Sequence, residues 1–160
     1  MITSQRCEKL LNQVRKDFPE LKGINIILKI KKLKDASMQA KKTLFGKYKV
    51  IIDPQKYEFA TDEQIRGCLP HELVHFVQFT KLNLFQRLYT SLKYRFFKSF
   101  KIKYEKETDR ETIRKGFAKQ LYANRQFRIK NSSPDYKLRV LRFYLIPEEI
   151  KKYAKSIGKW

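Results

Sequence analysis

Two histidines and a glutamate stand close together in the stretch HELVH, residues 71–75. Residues four apart share one face of a helix and lie about 6 Å apart along its axis, so His71 and His75 can bind the same metal ion. Glu72 follows the first histidine directly, where its carboxylate can reach a metal-activated water without binding the metal. The chain has no other histidine. The pattern therefore predicts a zinc site with about one ion per chain and Glu72 as its catalytic carboxylate.

A third ligand can come from the stretch YEKETDRETIRKG, residues 104–116. Glu105 would complete a set of two histidines and one glutamate, which leaves the fourth zinc position open for water. Asp109 lies one helical turn further on. It can accept a hydrogen bond from the free ring nitrogen of His71 and so fix the orientation of that ring.

Other residues compete for these roles or support them. Glu107 and Glu111 are alternative metal ligands, although neither is followed by an aspartate at the same step. Gly116 projects in nearly the same direction as the ligand, and we expect it to allow a close approach of the two helices that carry the metal ligands. Cys68, one turn before the first histidine, is expected to be packed in the core rather than bound to metal.

HELVH and the later EKETD resemble the gluzincin pattern of zinc peptidases, an HExxH motif followed by ExxxD. In size the chain is most similar to the minigluzincins, which are small single-domain members of that group. The resemblance covers roughly residues 4–128 and implies a zinc metallopeptidase that hydrolyses peptide bonds in a peptide or protein substrate. It implies Glu72 as general base and acid, an edge strand within residues 43–52 that pairs with extended substrate, and a metal centre built from His71, His75 and Glu105, supported by Asp109.

The chain departs from the gluzincin pattern in three respects. The gap between His75 and Glu105 is longer than in the shortest members, and Pro70 directly precedes the first histidine. No further histidine can stabilise the oxyanion of the reaction. A tyrosine or an arginine would have to serve instead.

The resemblance implies an α+β fold of the zincin type, and the elements read from the sequence agree with it. It comprises an N-terminal backing helix, a small twisted sheet, the active-site helix and the glutamate helix. Apolar residues at helical spacing predict the backing helix over 4–18, and alternation predicts strands over 24–33 and 43–53. Helical spacing returns over 62–79 and 104–128.

The predicted helix over residues 62–79 begins at Thr61 or Asp62, either of which can cap it. Pro70 predicts a kink, or a first turn that ends near Gly67 before the helix restarts. At 100° per residue, the apolar side chains and the metal-binding side chains fall on opposite sides of this helix. The apolar side carries Ile65, Leu69, Leu73, Phe76 and Val77, and the other side carries His71, His75 and Gln78.

We divide the chain into a zincin-like metallopeptidase domain, residues 1–130, and a C-terminal tail, residues 131–160, that packs on it. The tail begins with a turn and ends in a helix that starts at Pro147. Between them, LRVLRFYLI (138–146) is interpreted as an added strand or a segment that lies over a groove. Some minigluzincins are self-inhibited by a terminal segment, so by resemblance the tail is a candidate for covering the cleft and making the enzyme latent.

The overall charge is strongly positive, with 37 Lys and Arg against 16 Asp and Glu, a formal charge of +21. Such a field favours anionic partners, either nucleic acid or a membrane surface, but says nothing about fold. The two cysteines form no CxxC motif and no disulfide framework, which favours a cytoplasmic location, with peripheral contact with a membrane left open. Charges scattered through the first 18 residues do not fit a signal peptide, and no apolar run is long enough to span a bilayer.

Residues 81–104 combine seven Lys and Arg and seven aromatic residues with no acid. Their apolar residues recur at helical spacing, which favours one or two helices that cover the core and present a basic outer face. Two other interpretations remain open: a surface helix that lies on anionic lipid, and a nucleic-acid contact. The alternative to a peptidase is thus a non-catalytic or regulatory zincin-fold module that binds anionic partners. The sequence is silent on oligomeric state.

Overall fold

The computed structural model describes residues 2–43 and 46–160 of the chain. Helix α1 (Ser4–Arg15) is followed by strands β1 (Ile26–Ile30), β2 (Met38–Lys42) and β3 (Tyr48–Ile52). Six further helices follow in the described part: α2 (Asp62–Thr80), α3 (Leu84–Phe96), α4 (Lys98–Arg114), α5 (Ala118–Lys130), α6 (Pro134–Phe143) and α7 (Pro147–Ser156). The predicted α+β class is confirmed.

Helix α1 packs against α2 and β1 and buries one face, formed by Cys7, Leu10, Leu11 and Val14. Its first turn is capped by Thr3, whose side chain accepts a hydrogen bond from the backbone N–H of Arg6. The helix begins where the sequence predicts but ends at Arg15 rather than at residue 18. Phe18 is nevertheless buried, because the turn after the helix directs its ring into the same core. The apolar spacing in the sequence therefore continues beyond the last residue of the helix.

The three strands form one mixed sheet with β3 in the middle, parallel to β1 and antiparallel to β2. Strands β1 and β3 lie inside the predicted ranges 24–33 and 43–53. Two residues of the second range, Leu44 and Phe45, lie outside the described residues. Strand β2 was not predicted. The substrate-pairing edge strand expected within residues 43–52 is therefore wrong: β3 is the central strand, and the edge beside α2 belongs to β2.

Helix α2 begins with a reciprocal cap at Thr61. Its side chain accepts a hydrogen bond from the N–H of Gln64, and the side chain of Gln64 accepts one from the N–H of Thr61. The helix continues through Pro70 without the predicted restart near Gly67. Proline removes one backbone hydrogen bond, but every residue from Gly67 to Val77 is buried, so packing on all sides holds the helix together across that gap.

The predicted helix over 104–128 is wrong in one respect, because it is two helices, α4 and α5. Gly116 separates them with φ of 92°, a left-handed conformation that ends helices and suits glycine. The close helix approach expected at Gly116 is not there, since an added Cβ would meet nothing within 4 Å. It occurs at Gly67, where an added Cβ would lie 1.9 Å from the carbonyl oxygen of Gln120. Helix α2 thus packs directly on α5.

Residues 81–104 form α3 and the first turns of α4, but α3 does not cover the core as predicted. None of its residues is fully buried, and most of its large apolar side chains are exposed. Within the described residues, no helix is both long enough and apolar enough to cross a membrane.

The C-terminal residues form two helices, so the interpretation of residues 138–146 as a strand is wrong. Helix α7 packs on α4 and α5, where Ile150 and Ala154 join Ile113 and Leu121 in a second apolar cluster. Helix α6 ends at Phe143, and the chain then turns so that Tyr144 lies within ring contact of His71.

Candidate metal centre

His71 and His75 on α2 meet Glu105 on α4 in one buried cluster. Their potential ligand atoms all lie within 4.8 Å of one another. Nε2 of His71 is 3.0 Å from Oε2 of Glu105, and Nε2 of His75 is 3.5 Å from the same oxygen. Three donors from two packed helices therefore converge on one point, and this cluster can hold a metal ion.

The outer nitrogen of each imidazole is held by an oxygen, which turns both Nε2 atoms toward the centre. Nδ1 of His71 lies 2.8 Å from Oδ1 of Asp109. Nδ1 of His75 lies 3.0 Å from the amide oxygen of Gln78, whose NH₂ group donates to Thr108. An N–H at Nδ1 leaves a lone pair on Nε2, and such outer hydrogen bonds orient metal-binding histidines in proteins.

Asp109 is itself fully buried and accepts from three different groups. Besides His71, one guanidinium nitrogen of Arg125 lies 3.0 and 2.9 Å from its two carboxylate oxygens. The backbone N–H of Leu145 donates to Oδ2 over 2.8 Å. Helices α2 and α5 and the segment after α6 are therefore joined at this one carboxylate.

The charges of the cluster shift the pKa values of its members. Burial alone would lower the pKa of His71, but hydrogen bonds to Asp109 and Glu105 raise that pKa to about 10. Burial would raise the pKa of Glu105, yet its contacts with His71 and His75 hold the pKa well below its usual range. For Asp109, burial is likewise outweighed, and the charge of Arg125 lowers the pKa. This arrangement favours positive charge on His71, and a divalent cation can take over that role by displacing the proton.

Glu72 is buried beside the cluster but does not belong to it. Its Oε2 accepts a hydrogen bond from the backbone N–H of Ala40 in β2 at 2.5 Å. Its Oε1 lies 3.9 Å from the sulfur of Cys68. Burial raises the pKa of that thiol to about 12, so the sulfur stays protonated and donates to Glu72. Cys68 is packed rather than presented to a metal, in accord with the sequence-based expectation.

The alternative ligands lie elsewhere. Glu107 and Glu111 form ion pairs with Arg110 and Arg114 on the outer side of α4. Among the acids of this helix that compete for the third ligand position, the structure brings only Glu105 to the histidines.

The cluster lies at the base of a cleft of about 710 Å³ between β2 on one side and α3 on the other. Tyr94 of α3 lines the cleft, and its hydroxyl donates a short hydrogen bond to Oε1 of Glu105. Burial and the nearby carboxylate raise the pKa of Tyr94 far above its usual range, which keeps the phenol protonated. The ring of Tyr144 approaches His71 to 5.6 Å between centroids.

Three residues around the centre, Tyr94, Arg125 and Tyr144, were not predicted from the sequence. Tyr94 lies opposite the apolar stripe of its own helix. In the sequence, its position outside the helical spacing of that stripe was the one signal that set it apart from the other aromatic residues. Arg125 is fully buried in a helix without a clear apolar face, so nothing in the sequence distinguished it from a surface arginine. Tyr144 depends on where α6 ends, which the sequence did not show.

Comparison with protein-family models, with curated proteins and with solved structures gives no match to this chain. The fold and the site together define the class of protein: an α+β protein with a buried cluster of two histidines and one glutamate that can hold a metal ion.

Proposed function

We propose that the chain is a zinc-dependent metallopeptidase in which α2 and α4 are the active-site helix and the glutamate helix of a zincin arrangement. The observation that carries this proposal is the convergence of His71, His75 and Glu105 beside Glu72 at the base of a cleft. Two imidazoles and one carboxylate suit zinc, whereas calcium and magnesium prefer oxygen ligands. The resemblance of HELVH and EKETD to the gluzincin pattern supports the same metal.

When bound, zinc would lower the pKa of a coordinated water to about 7 and polarise a substrate carbonyl. Glu72 is not among the residues that would hold the ion, so we assign its carboxylate, which Ala40 and Cys68 hold in place, the role of the base. It accepts a proton from the attacking water and delivers it to the amine that leaves. Glu72 is 5% exposed and lines the cleft, and groups that are fixed in a buried site stabilise developing charge better than groups in water do.

The edge of β2 offers a place for an extended peptide. Hydrogen bonds between Thr43 and Lys47 and between Ser37 and Asp53 fix the pairing of β2 with β3. In an antiparallel ladder alternate residues point their N–H and C=O groups away from the partner strand. In β2 these are Met38, Ala40 and Lys42. The N–H of Ala40 already donates to Glu72. A peptide at this edge would therefore lie beside that carboxylate and pair through the remaining outward groups of β2.

Tyr94 is the residue we propose for stabilising the oxyanion. Its hydroxyl donates to the candidate ligand Glu105, so it lies beside the position where a substrate carbonyl would be polarised. To stabilise the oxyanion, the hydroxyl would have to turn from that carboxylate to the substrate oxygen. This assigns to a tyrosine the role that the sequence, without a third histidine, left to a tyrosine or an arginine.

The experiment that tests the proposed function is the substitution Glu72→Gln in zinc-loaded protein. Glutamine keeps the size of the side chain and an oxygen that can accept from Ala40, but it cannot take up a proton. We expect full zinc content and a loss of about 100-fold or more in cleavage of an unfolded protein substrate, followed by mass spectrometry. Glu107→Gln on the outer side of α4 is the matched control and should cleave normally. Unchanged cleavage by Glu72→Gln would refute the assignment of Glu72.

A further inference from the structure

Helix α3 points its apolar face into solvent, whereas an ordinary amphipathic surface helix points that face toward the core. Its large apolar side chains form one stripe that points into solvent, with exposed fractions between 48% and 81%. The stripe consists of Leu84, Phe85, Leu88, Tyr89, Leu92 and Phe96. The half-buried residues that face the domain are instead polar or charged for the most part: Arg87, Thr90, Lys93 and Tyr94. A surface helix of a globular protein normally buries its apolar stripe, so this stripe requires a partner.

The residues around the stripe indicate the charge of that partner. Residues 81–104 hold seven Lys and Arg and no acid, and the exposed ones are Lys81, Arg95, Lys98 and Lys103. An apolar stripe bordered by basic residues is typical of helices that lie in the interface of an anionic bilayer. A second copy of the chain is a poor partner, because a dimer through this face would bring the basic segments of two chains of charge +21 together. Nucleic acid is also less suitable, since half of the stripe is leucine and only aromatic rings stack on bases.

We propose that α3 docks the protein peripherally on the surface of an anionic membrane, with the stripe from Leu84 to Phe96 inserted among the lipids. Lys and Arg residues near the surface attract the acidic headgroups, and the apolar side chains leave water. The inference is independent of the metal and goes beyond the proposed peptidase function.

Docking on this face would also determine where the cleft opens. Leu84 and Leu88 belong to the stripe and at the same time line the cleft. Tyr94, on the opposite face of the same helix, reaches the candidate metal ligand Glu105. The helix that contacts lipid is therefore one wall of the cleft. This consequence rests on the proposed peptidase function: the docked protein would accept polypeptide segments that lie close to the membrane surface.

Insertion can be measured directly with a single tryptophan. Trp160 is the only native tryptophan, so Phe85→Trp in a Trp160→Phe background places one reporter in the stripe. We expect its fluorescence to shift to the blue with vesicles of phosphatidylcholine and about 30% phosphatidylglycerol, and not with phosphatidylcholine alone. Phe59→Trp in the same background is the matched control, because Phe59 is as exposed as Phe85 but lies outside α3. A stripe reporter that stays at its aqueous wavelength, or a control that shifts equally, would overturn the proposal.

Vesicle co-sedimentation then tests which feature drives binding. The double substitution Phe85→Ser with Leu92→Ser should weaken binding to the anionic vesicles about tenfold or more, because two side chains no longer leave water. These positions are exposed, so the fold should be retained, which circular dichroism checks. Phe59→Ser should bind like the native chain. If the double substitution leaves vesicle binding unchanged, the binding is due to overall charge alone and the proposal is overturned. So would a stripe-dependent affinity for RNA greater than that for vesicles, or a stripe-dependent dimer in sedimentation equilibrium.

Discussion

The ion pair between Asp109 and Arg125 gives the sharpest prediction about the support of the metal centre. Arg125 is 1% exposed, and its closest acidic partner is the fully buried Asp109. The substitution Asp109→Asn keeps the shape of the side chain but removes its charge, which leaves the guanidinium buried without a counter-ion. The new amide NH₂ group is itself a hydrogen-bond donor. It would face two other donors, because His71 and the N–H of Leu145 both point at this side chain.

Breaking one member of a buried pair costs about 3–5 kcal/mol, because the remaining charge is uncompensated. We therefore expect Asp109→Asn to lower the free energy of unfolding by that amount. The double substitution Asp109→Asn with Arg125→Met removes both charges and should recover most of the loss, to within about 2 kcal/mol of the native chain. Both variants lose the carboxylate behind His71. Without that carboxylate His71 also loses its proton more easily, which favours zinc binding. Once this effect is corrected for, the zinc affinity of both variants should fall about 10- to 100-fold.

Urea unfolding followed by circular dichroism measures these stabilities. It must be done with a chelator present, because a bound metal adds its own binding energy to the folded state. Glu107→Gln serves as the control, since that acid pairs with arginines on the surface and should change stability by less than about 1 kcal/mol. A loss below about 1 kcal/mol in Asp109→Asn, or a double variant no more stable than the single one, would refute the reasoning.

Three further predictions concern packing, the cleft and pH. Gly67→Ala should destabilise the fold by about 2 kcal/mol or more despite the better helix propensity of alanine, since its Cβ would clash with the backbone of Gln120; equal or greater stability in urea would contradict the α2–α5 contact. Tyr94→Phe should retain zinc but reduce kcat for peptide cleavage about 100-fold with little change in KM, and an unaltered kcat would exclude the hydroxyl from oxyanion stabilisation. The pKa of His71 is raised from 6.5 to about 10, so metal binding must displace its proton. Zinc affinity, measured against a competing chelator, should then rise about tenfold per pH unit between about pH 6 and 8, and a flat profile would argue against His71 as a ligand. In the metal-free protein the same shift adds stability below about pH 6.5 that is lost as the pH rises through about 10.

The parts of the fold that could be predicted are those that local spacing controls. Helix α2 followed from its cap at Thr61 and from the apolar stripe, and the grouping of Glu105 with Asp109 followed from their separation by one helical turn. The break at Gly116 was also local, because glycine after a basic helical end is a common stop. It was missed because apolar residues continue at helical spacing on both sides of it.

The parts that could not be predicted depend on contacts between distant segments. Strand β2, sequence MQAKK, has only two apolar residues, one of them a small alanine, and none that is β-branched or aromatic; β3 and α2 flank it. Arg125 is buried only because Asp109, from another helix, offers it a counter-ion. The periodicity of α3 showed that an apolar stripe exists, but periodicity alone does not say whether a stripe points toward the core or away from it.

The metal content of the purified protein tests the central claim most directly. Elemental analysis of the native chain, with zinc supplied during expression, should find about one zinc ion per chain that dialysis does not remove. His71→Ala, His75→Ala and Glu105→Ala should each lower that content sharply, whereas Glu107→Ala should not. A folded native chain that contains no zinc and takes up none in a titration would contradict the account, and so would a zinc content that the three ligand substitutions leave unchanged.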